Sequence, residues 1–509
     1  MRRFMIFGAA CVVLLAGAPS AQQADAVKAA GDALGVANIK TLGFAATGQA
    51  FSVGQNFTAT EAWPPNPVTT YTALINYDTG SMRQEVLREM GTTMPRGGGA
   101  PFTGQQRQNQ VVSGNFAWNV PVVAAPPAAA PAGAPGGAPQ GAPAGPPPAP
   151  APGNQVERML TLWSTPQGFI KAAMANNATQ KAVAGGTEVS FTVGGKYKMT
   201  GLINANNQVE KVQTWIDQSI VGDMLVETVY SGYKSFGGVM FPSKMVQSQD
   251  GFPALDLTVL GVTANLPVDI QVPDAVRNAA PPAPITVTST KLAEGVFYLT
   301  GGTHHSLVVE ENGYIILVDT PNNEARAAAV IAKAKEIVPK KPIRFIVTSH
   351  HHWDHLGGIR TAMAEGATIV THTSNKTFLE RVAKTPHTLN PDKMAMSPKP
   401  LKLQLVGAMA KLGDKNPVEL HLLTGYEHTG DMLVTYLPKD GILAEPDAFT
   451  PPAMAGAPLV VTAVPYAAAL YDNIQRLKLN VKTIAPFHGG RMTDVAEVAK
   501  AGGKAAAGN

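Results

Sequence analysis

The chain has 509 residues, of which 45% are hydrophobic and 15% are charged, and its formal net charge is +4. This length exceeds what one hydrophobic core usually serves, so we expect two or three domains. The low charge content and the lack of a Lys/Arg run beyond the N-terminus disfavour a nucleic-acid-binding surface. We therefore expect no nucleic-acid partner.

The first residues have the organisation of a secretory signal peptide. Two arginines precede a short apolar run, and small residues follow near Ser20 and Ala21. We expect residues 1–22 to be removed and the protein to be periplasmic or secreted, with a retained N-terminal anchor as the alternative. The only cysteine is Cys11, so the mature chain would form no disulfide and offer no thiolate to a metal.

Residues 25–278 are predicted to form a β-rich, antiparallel N-terminal domain. A hairpin is indicated by a strand at 189–193, a two-glycine turn at 194–195 and a strand at 196–199. Residues 121–153 are nearly all Ala, Pro and Gly and carry no charge. Such a segment cannot bury a core, so we predict a disordered or partly polyproline insertion in this domain.

The stretch from Tyr230 to Pro242 reads Tyr-x-x-Tyr-x-x-x-Gly-Gly-x-x-Phe-Pro. Together with the expected strand order, it resembles the half-barrel of outer-membrane lipoprotein-sorting proteins, whose curved antiparallel sheet holds acyl chains. The resemblance implies lipid contact through the N-terminal domain. The alternative is a β-domain that shields or positions the rest of the chain, with four tryptophans as ordinary core residues: Trp63, Trp118, Trp163 and Trp215.

After the Pro-rich residues 279–284 the pattern changes to strands that alternate with helices, over residues 285–503. Three consecutive strands are expected, at 296–299, 306–309 and 314–318. A helix with one apolar face is expected at 323–338. The short apolar, β-branched segment at 343–348 then predicts a buried strand.

A cluster of potential metal ligands follows this strand. Four side chains form an H-x-H-x-D-H pattern: His350, His352, Asp354 and His355. Imidazoles and a carboxylate suit zinc and other first-row metals, and side chains two residues apart on an irregular loop can converge on one ion. All eleven histidines lie between His304 and His488, which argues against a low-complexity His tract and assigns the chemistry to the C-terminal half.

From about residue 285 to 500 the sequence resembles the metallo-β-lactamase-fold hydrolases, which implies an α/β (α+β) domain with four αββα layers. The histidine cluster matches that family's H-x-H-x-D-H motif. The family's next histidine, followed by Thr and Gly before a strand, matches His428. Its carboxylate after a short strand matches Asp447, and its last histidine matches His488. One departure is Pro446, where the family more often has glycine, because proline restricts the backbone there.

The resemblance, together with the ligand types, implies two zinc ions per chain, with other divalent metals as alternatives. Three groups of ligands are expected, for the first ion, for the second ion and for the bridge between them: His350, His352 and His428; Asp354, His355 and His488; and Asp447. The shared water would become a hydroxide, because its pKa falls from about 16 toward about 7. This hydroxide would attack an ester, lactone, amide, β-lactam or phosphoester bond. Asp354 is the expected catalytic residue, which orients the hydroxide and later carries its proton.

A few other side chains are expected near the site. His304, Trp353 and Tyr466 are candidates for contact with a small-molecule substrate, and Asp319 is expected to hold the metal-binding loop through backbone amides. Two alternatives stay open at this point. The first is an envelope lipid- or ligand-binding protein with a structural metal site. The second is a di-iron oxidoreductase on the same fold, which the lack of an evident flavin domain disfavours.

Overall fold

The computed structural model describes residues 25–90, 96–98, 102, 104–121, 151–454 and 464–504. The predicted signal peptide and most of the predicted insertion therefore lie outside the described residues. Among the helices of the described residues, none is long and apolar enough to cross a membrane.

The N-terminal region forms a sheet of 13 described strands in which every neighbouring pair is antiparallel. In chain order the strands are β1 Thr41–Phe51, β2 Pro65–Asn76, β3 Ser81–Glu89, β4 Gln105–Ser113, β5 Phe116–Asn119, β6 Ala151–Pro152, β7 Thr179–Val183, β8 Gly186–Val193, β9 Tyr197–Asn204, β10 Val209–Gln218, β11 Gly222–Phe236, β12 Val239–Gln249 and β13 Phe252–Ala264. Their order in the sheet is β6-β5-β4-β3-β2-β1-β13-β12-β11-β10-β9-β8-β7. The prediction of a β-rich, antiparallel domain is confirmed.

Three helices pack against this sheet: α1 Ala26–Ala33, α2 Gln155–Ser164 and α3 Pro166–Ala175. Helix α2 contacts β3, β4 and β5 and also contacts β10. Because β3 and β10 are six places apart in the strand order, the sheet must curve around the helix. Leu160 and Leu162 of α2 are buried in the resulting core. The resemblance to a lipoprotein-sorting half-barrel stays a prediction.

The predicted hairpin is present as β8 and β9, but its turn has three residues rather than two. Val193 pairs with Tyr197, which leaves Gly194, Gly195 and Lys196 in the turn. The two glycines have φ angles of 59° and 68°, a left-handed conformation that glycine adopts at little cost. The prediction was wrong by one residue, because alternation of side chains does not show where the pairing of two strands stops.

The C-terminal region contains two further sheets. The first consists of β14 Thr288–Ala293, β15 Val296–Thr300, β16 Ser306–Glu310, β17 Ile315–Val318, β18 Ile343–Val347, β19 Thr368–His372 and β20 Lys402–Val406, in that order. The second consists of β21 Met409–Leu412, β22 Val418–Leu422, β23 Leu433–Leu437, β24 Ile442–Glu445 and β25 Thr483–Pro486. Strands β14 to β17 are antiparallel and β17 to β20 are parallel. The three consecutive strands predicted here are β15, β16 and β17, within one residue at each end.

The remaining helices are α4 Asp274–Arg277, α5 Glu324–Ile337, α6 Trp353–Leu356, α7 Ile359–Ala364, α8 Lys376–Val382, α9 Lys393–Met396, α10 Val464–Arg476 and α11 Val495–Ala501, with short 3-10 turns at Val36–Asn38 and Thr373–Asn375. The helix predicted at 323–338 is α5. Its N-cap is Asn323, whose side chain accepts a hydrogen bond from Arg326 N, as such caps do.

Buried side chains arrange the C-terminal domain in four layers. Helices α5, α7 and α8 pack on one face of the first sheet, whose other face packs on the second sheet. Helices α10 and α11 cover the outer face of the second sheet. Strand β17 is buried on both faces, because Leu317 points to the helices and Val318 points to the second sheet, as expected for an interior strand in a parallel sheet. The predicted αββα arrangement is confirmed.

The contacts between the N-terminal domain and the C-terminal domain include the following three. Residues 52–64, which we call the β1–β2 loop, lie against the segment between β18 and α6. In the β10–β11 hairpin, Asp223 accepts hydrogen bonds from Thr388 N and Thr388 Oγ1. At the β12–β13 turn, Asp250 accepts two hydrogen bonds of 2.7 Å from the guanidinium of Arg381.

Candidate metal centre

Four of the predicted ligands follow β18, at the edge of the first sheet where its parallel strands end. Because α6 begins at Trp353, His350 and His352 lie on irregular backbone, whereas Asp354 and His355 lie in the first turn of the helix. This is the strand-to-helix loop expected from the sequence. Strand β17, the parallel neighbour of β18, ends at the same edge and places the next residue, Asp319, beside this loop.

Asp319 holds the loop in position. Ser349 donates to it twice, from N to Oδ1 and from Oγ to Oδ2, both at 2.7 Å. His355 Nδ1 lies 2.8 Å from Asp319 Oδ2, so the other ring nitrogen of His355 faces the centre. Asp319 has a left-handed φ of 59°, which turns the chain at the end of β17. The structure therefore supports the predicted positioning role, with a side-chain contact to a candidate ligand in addition to the backbone amide.

The structure brings all seven predicted ligands together. Their nitrogen and oxygen atoms form two groups, within each of which the candidate ligand atoms lie within 4.8 Å of one another: His350, His352, His428 and Asp447 in the first group, and His304, Asp354, His355 and His488 in the second. The predicted grouping is the same for six of the residues, whereas Asp447 was predicted as a bridge and His304 as a substrate contact. The role of each residue as a ligand stays a prediction.

The Asp447 carboxylate lies between the two groups. Its Oδ2 is 3.1 Å from His350 Nε2 and 2.9 Å from His428 Nε2. Its Oδ1 is 2.6 Å from His488 Nε2. His355 Nε2 is 3.3 Å from either oxygen. One oxygen thus faces each group, as a bridging carboxylate requires.

The turn that carries Asp447 is closed by the preceding carboxyl group. Glu445 Oε2 accepts hydrogen bonds from Ala448 N at 2.7 Å and from Phe449 N at 3.2 Å. Burial raises the pKa of Glu445 to about 8, and the backbone hydrogen bond from Ala448 only partly offsets this. Pro446, the departure noted in the sequence, is accommodated in this turn without moving Asp447 away from the histidines.

The donor atoms fit metal ions of the zinc type. Among the described residues, His352 Nδ1 is buried without a hydrogen-bond partner, and the nearest carboxylate oxygen to His350 Nε2 is Asp447 Oδ2 at 3.1 Å. In the second group, His355 Nε2 and His488 Nε2 are 3.2 Å apart. Two imidazoles bound to one tetrahedral zinc at about 2.0–2.1 Å have nitrogens about 3.3 Å apart. Neutral nitrogens and carboxylate oxygens are suitable zinc ligands, and the described residues include no cysteine.

Two histidines of the first group, His350 and His352, favour the neutral form. Burial lowers the pKa of His350, and the neighbouring His355 lowers it further. Burial also holds the pKa of His352 well below its usual value, with His428 as the next contributor. A metal binds the neutral imidazole, so this environment suits a ligand.

The two carboxylates of the centre favour the ionised form. Burial alone would raise the pKa of Asp447, but His355 and His488 outweigh it and hold that pKa well below its usual value. Burial would likewise raise the pKa of Asp354. The hydrogen bond from His304 Nε2, 3.1 Å from Asp354 Oδ2, and the nearby His355 lower it overall. Both carboxylates are therefore ionised at neutral pH, as metal ligands must be.

The three side chains predicted to contact substrate lie on different sides of the centre. The ring centroid of His304 is 4.1 Å from that of His488. Trp353 packs edge-on against Trp63 of the N-terminal domain, with ring centroids 5.6 Å apart. Tyr466 is buried beside the first group. Their contact with a substrate stays a prediction.

The β1–β2 loop contacts the centre, although no sequence pattern among its polar residues predicts this. Gln55 Nε2 donates to Asp354 Oδ1 at 2.9 Å. His352 Nε2 lies 2.9 Å from the backbone oxygen of Asn56. A glutamine and a backbone carbonyl form no motif of a metal site, so only the fold reveals these contacts.

A buried polar network lies behind the first group. His351 occupies a variable position of the histidine motif, and its Nδ1 is 2.9 Å from Asp431 Oδ1. Its Nε2 is 3.1 Å from the side-chain oxygen of Asn56. Asn375 Nδ2 donates to Asp431 Oδ2 at 2.6 Å. His351 thus links the histidine loop to the β1–β2 loop rather than to the centre.

Residues 299–488 match the family model of the metallo-beta-lactamase superfamily. The match extends from β15 to His488 and includes all seven predicted ligands. Residues 299–488 therefore form a metallo-beta-lactamase superfamily domain, which indicates a metal-dependent hydrolase. This confirms the resemblance read from the histidine motif.

Solved metallo-beta-lactamases are among the similar structures. The FIM-1 enzyme of Pseudomonas aeruginosa, in its mono-zinc form, is 22% identical over 43% of this chain and 95% of its own, with a TM-score of 0.33. A metallo-beta-lactamase from Pontibacter korlensis is 20% identical over 43% of this chain and 98% of its own, with a TM-score of 0.33. The DIM-1 enzyme is 20% identical over 43% and 95%, with a TM-score of 0.33. The curated proteins include no match.

Proposed function

We propose that the protein is an exported dinuclear zinc hydrolase that acts on a small molecule with an ester, lactone, amide, β-lactam or phosphoester bond. The observation that carries the proposal is the Asp447 carboxylate, which directs one oxygen to each of two groups of imidazoles. Export rests on the sequence of residues 1–22. It is tested by sequencing the N-terminus of protein recovered from the periplasm.

Seven side chains would hold the ions. The first ion would be bound by His350, His352 and His428, and the second by Asp354, His355 and His488. Asp447 would bridge the two ions. When bound, zinc would polarise the bond under attack and would lower the pKa of a bound water from 15.7 to about 7. Asp354 is ionised and is held by hydrogen bonds to both of its oxygens. Its remaining lone pairs can orient the water and accept its proton.

The exposure of the side chains indicates where substrate enters. The side chains of His350 and His428 are 0% and 4% exposed, whereas those of Asp354 and His488 are 33% and 24% exposed. Solvent therefore reaches the centre from the second group. A substrate bound there would exclude water and strengthen the electrostatic interactions of the centre.

Zinc reconstitution tests the proposal. The protein is stripped with a chelator and reloaded with zinc, its metal content is measured, and hydrolysis is assayed with a chromogenic cephalosporin, a lactone, a thioester and a phosphodiester. We expect about two zinc ions per chain and turnover of at least one substrate, both lost in His352→Ala. The matched control is His372→Ala, because His372 bonds only locally to Ser374. A protein that takes up no zinc and stays inert after reloading would contradict the proposal. Iron rather than zinc in the purified protein before stripping would favour the oxidoreductase alternative.

A second candidate function is ligand binding by the N-terminal domain, with the metal site in a structural role. The observation that favours it is a cavity of about 260 Å³ on the curved sheet, lined by Tyr71, Gln84, Tyr230 and Met245 among other residues. Native mass spectrometry of gently purified protein separates the two functions. A co-purified acyl ligand together with no turnover of any of the four substrates would favour binding.

A further inference from the structure

We infer that the β1–β2 loop of the N-terminal domain is a working part of the metal centre, in which the Asn56 carbonyl sets the proton position of His352 and the Gln55 carboxamide orients Asp354. Both are positioning residues, since they act through other side chains. The inference rests on the proposed function, because it concerns the same centre. It assigns to the N-terminal domain a share in metal binding in addition to any role in covering the site.

The backbone of the loop is fixed to the C-terminal domain on both sides of these two residues. Before them, Trp353 N donates to Gly54 O at 3.2 Å, and after them Gly430 N donates to Phe57 O at 2.9 Å. Gly98 N also donates to Gln55 O at 2.6 Å. The segment from Gly54 to Phe57 is therefore held at both ends against the elements that carry the candidate ligands.

Gly54 permits this close approach. Its φ is +76°, in the left-handed region, and a Cβ added there would lie 2.4 Å from Trp353 Cγ. Any side chain at this position would be strained and would also push the loop away from α6. The position of the Asn56 carbonyl therefore depends on a glycine two residues earlier.

The contact of Asn56 with His352 selects the ring nitrogen that can bind a metal. A backbone carbonyl can only accept a hydrogen bond, so the Nε2 that lies 2.9 Å from Asn56 O carries the proton. The neutral ring then has its lone pair on Nδ1, which is buried without a hydrogen-bond partner among the described residues. Metal-bound histidines usually donate their other N–H to such a partner, which fixes both the tautomer and the ring orientation.

Gln55 completes the set of contacts around Asp354. Its Nε2 donates to Oδ1 at 2.9 Å, while His304 Nε2 lies 3.1 Å from Oδ2. Each carboxylate oxygen of Asp354 thus has one side-chain hydrogen-bond partner, and the two contacts fix the plane of the carboxylate. Because the carboxamide is neutral, it orients Asp354 without cancelling the charge that a cation would use.

Zinc binding by two variants tests the inference, with zinc alone as the probe and a chromogenic chelator as the competitor. Gly54→Ala is expected to displace the Asn56 carbonyl and lower the affinity for the zinc ion at His352 by about 10- to 100-fold. Gln55→Ala is expected to lower the affinity for the zinc ion at Asp354 by about tenfold. In the cobalt-substituted protein, Gln55→Ala should change the visible absorption of one site only. A general loss of packing would not produce this difference between the two ions.

Each variant has a matched control in the same domain. Gly114→Ala places a side chain at a φ of +53° where nothing lies within 4 Å, so it reproduces the backbone strain without moving the loop. Gln105→Ala removes another glutamine-to-carboxylate hydrogen bond, which joins Gln105 to Glu89 at the protein surface. Both controls should bind zinc as the wild-type protein does.

The outcomes are distinguishable. Wild-type affinities for both ions in folded Gln55→Ala and Gly54→Ala would overturn this inference and leave the proposed function standing. If Gly54→Ala does not fold, the Gln55→Ala result decides alone. A wild-type protein that binds no zinc would overturn both the inference and the proposed function.

Discussion

The C-terminal domain supplies every ionisable side chain in the two groups of candidate ligands, whereas the N-terminal domain supplies a carboxamide and a backbone carbonyl. The first 303 residues contain no histidine at all, yet one of their loops contacts His352 and Asp354. The charges of a site and its geometry can thus come from different domains. Substitutions of the candidate ligands in the C-terminal domain should remove metal-binding groups. Substitutions in the β1–β2 loop should leave those groups in place but change their orientation.

The largest effect is expected from Asp447→Asn, because this change removes the negative charge that faces both groups of imidazoles. We expect kcat/KM to fall on the order of 1000-fold, about 4 kcal/mol of transition-state stabilisation, together with loss of bound zinc. The control is Asp472→Asn, since Asp472 pairs with Lys504 at the surface. Full activity with two zinc ions in Asp447→Asn would show that this carboxylate is not a bridge.

A comparison of Trp63→Ala with Trp118→Ala should separate effects on stability from effects on zinc binding. Trp63 is 2% exposed and contacts Phe252 in its own domain and Trp353 in the other, so its truncation should cost about 3 kcal/mol of the free energy of unfolding. We also expect weaker zinc binding, because the same loop carries Asn56. Trp118→Ala, within the N-terminal domain, should lower the urea midpoint to a similar extent and leave zinc affinity unchanged. Equal zinc affinities in the two variants would argue that the loop does not depend on Trp63.

Asp223→Asn tests the second contact between the domains through its pH dependence. Burial would raise the pKa of Asp223, but hydrogen bonds from Thr388 and Leu389 lower it below its usual 3.8. A depressed folded-state pKa contributes stability above about pH 3.8, and this stability is lost as the pH falls through the lower folded value. The free energy of unfolding of Asp223→Asn should therefore be about 1 kcal/mol lower than that of the wild type at pH 7. In urea unfolding experiments this difference should shrink below about pH 4. An unchanged difference at pH 3 would contradict the assignment.

The smallest effect is expected from Arg381→Ala. The side chain of Arg381 is 45% exposed where it pairs with Asp250, and exposed pairs of this kind contribute about 0.5 kcal/mol. Urea unfolding with and without 1 M salt measures the loss, and high salt should abolish it. A loss above about 2 kcal/mol would mean that this ion pair, rather than the β1–β2 loop, dominates the contact between the domains.

The C-terminal domain could be predicted from its sequence more fully than the N-terminal domain, for physical reasons. Strands β15 to β17 were located within one residue because their side chains are mostly buried and apolar. His428, Asp447 and His488 could be assigned because few residue types bind metals and each stands beside a recognisable strand. The pairing of β1 with β13 and the curvature around α2 depend on contacts far apart in the chain, which local patterns do not record.

The site itself was predictable only in its charged part. The sequence could suggest that His304 lies near the centre, but its approach to Asp354 depends on its antiparallel pairing with His488, which is distant in the chain. Gln55 and Asn56 carry no signal, because their contribution depends on where the loop lies and hardly on residue type. A contact made by a backbone carbonyl in particular cannot be predicted from residue type, because every residue has a backbone carbonyl.

The unequal exposure of the two groups has a kinetic consequence for metal exchange. An ion held by His350, His352 and His428 would have only buried ligands, whereas one held by Asp354, His355 and His488 would have two partly exposed ligands. Chelators should therefore strip the protein in two phases, with the outer ion released first and the inner one retained for much longer. During scarcity of zinc, the molecule would persist as a singly loaded species rather than empty at once.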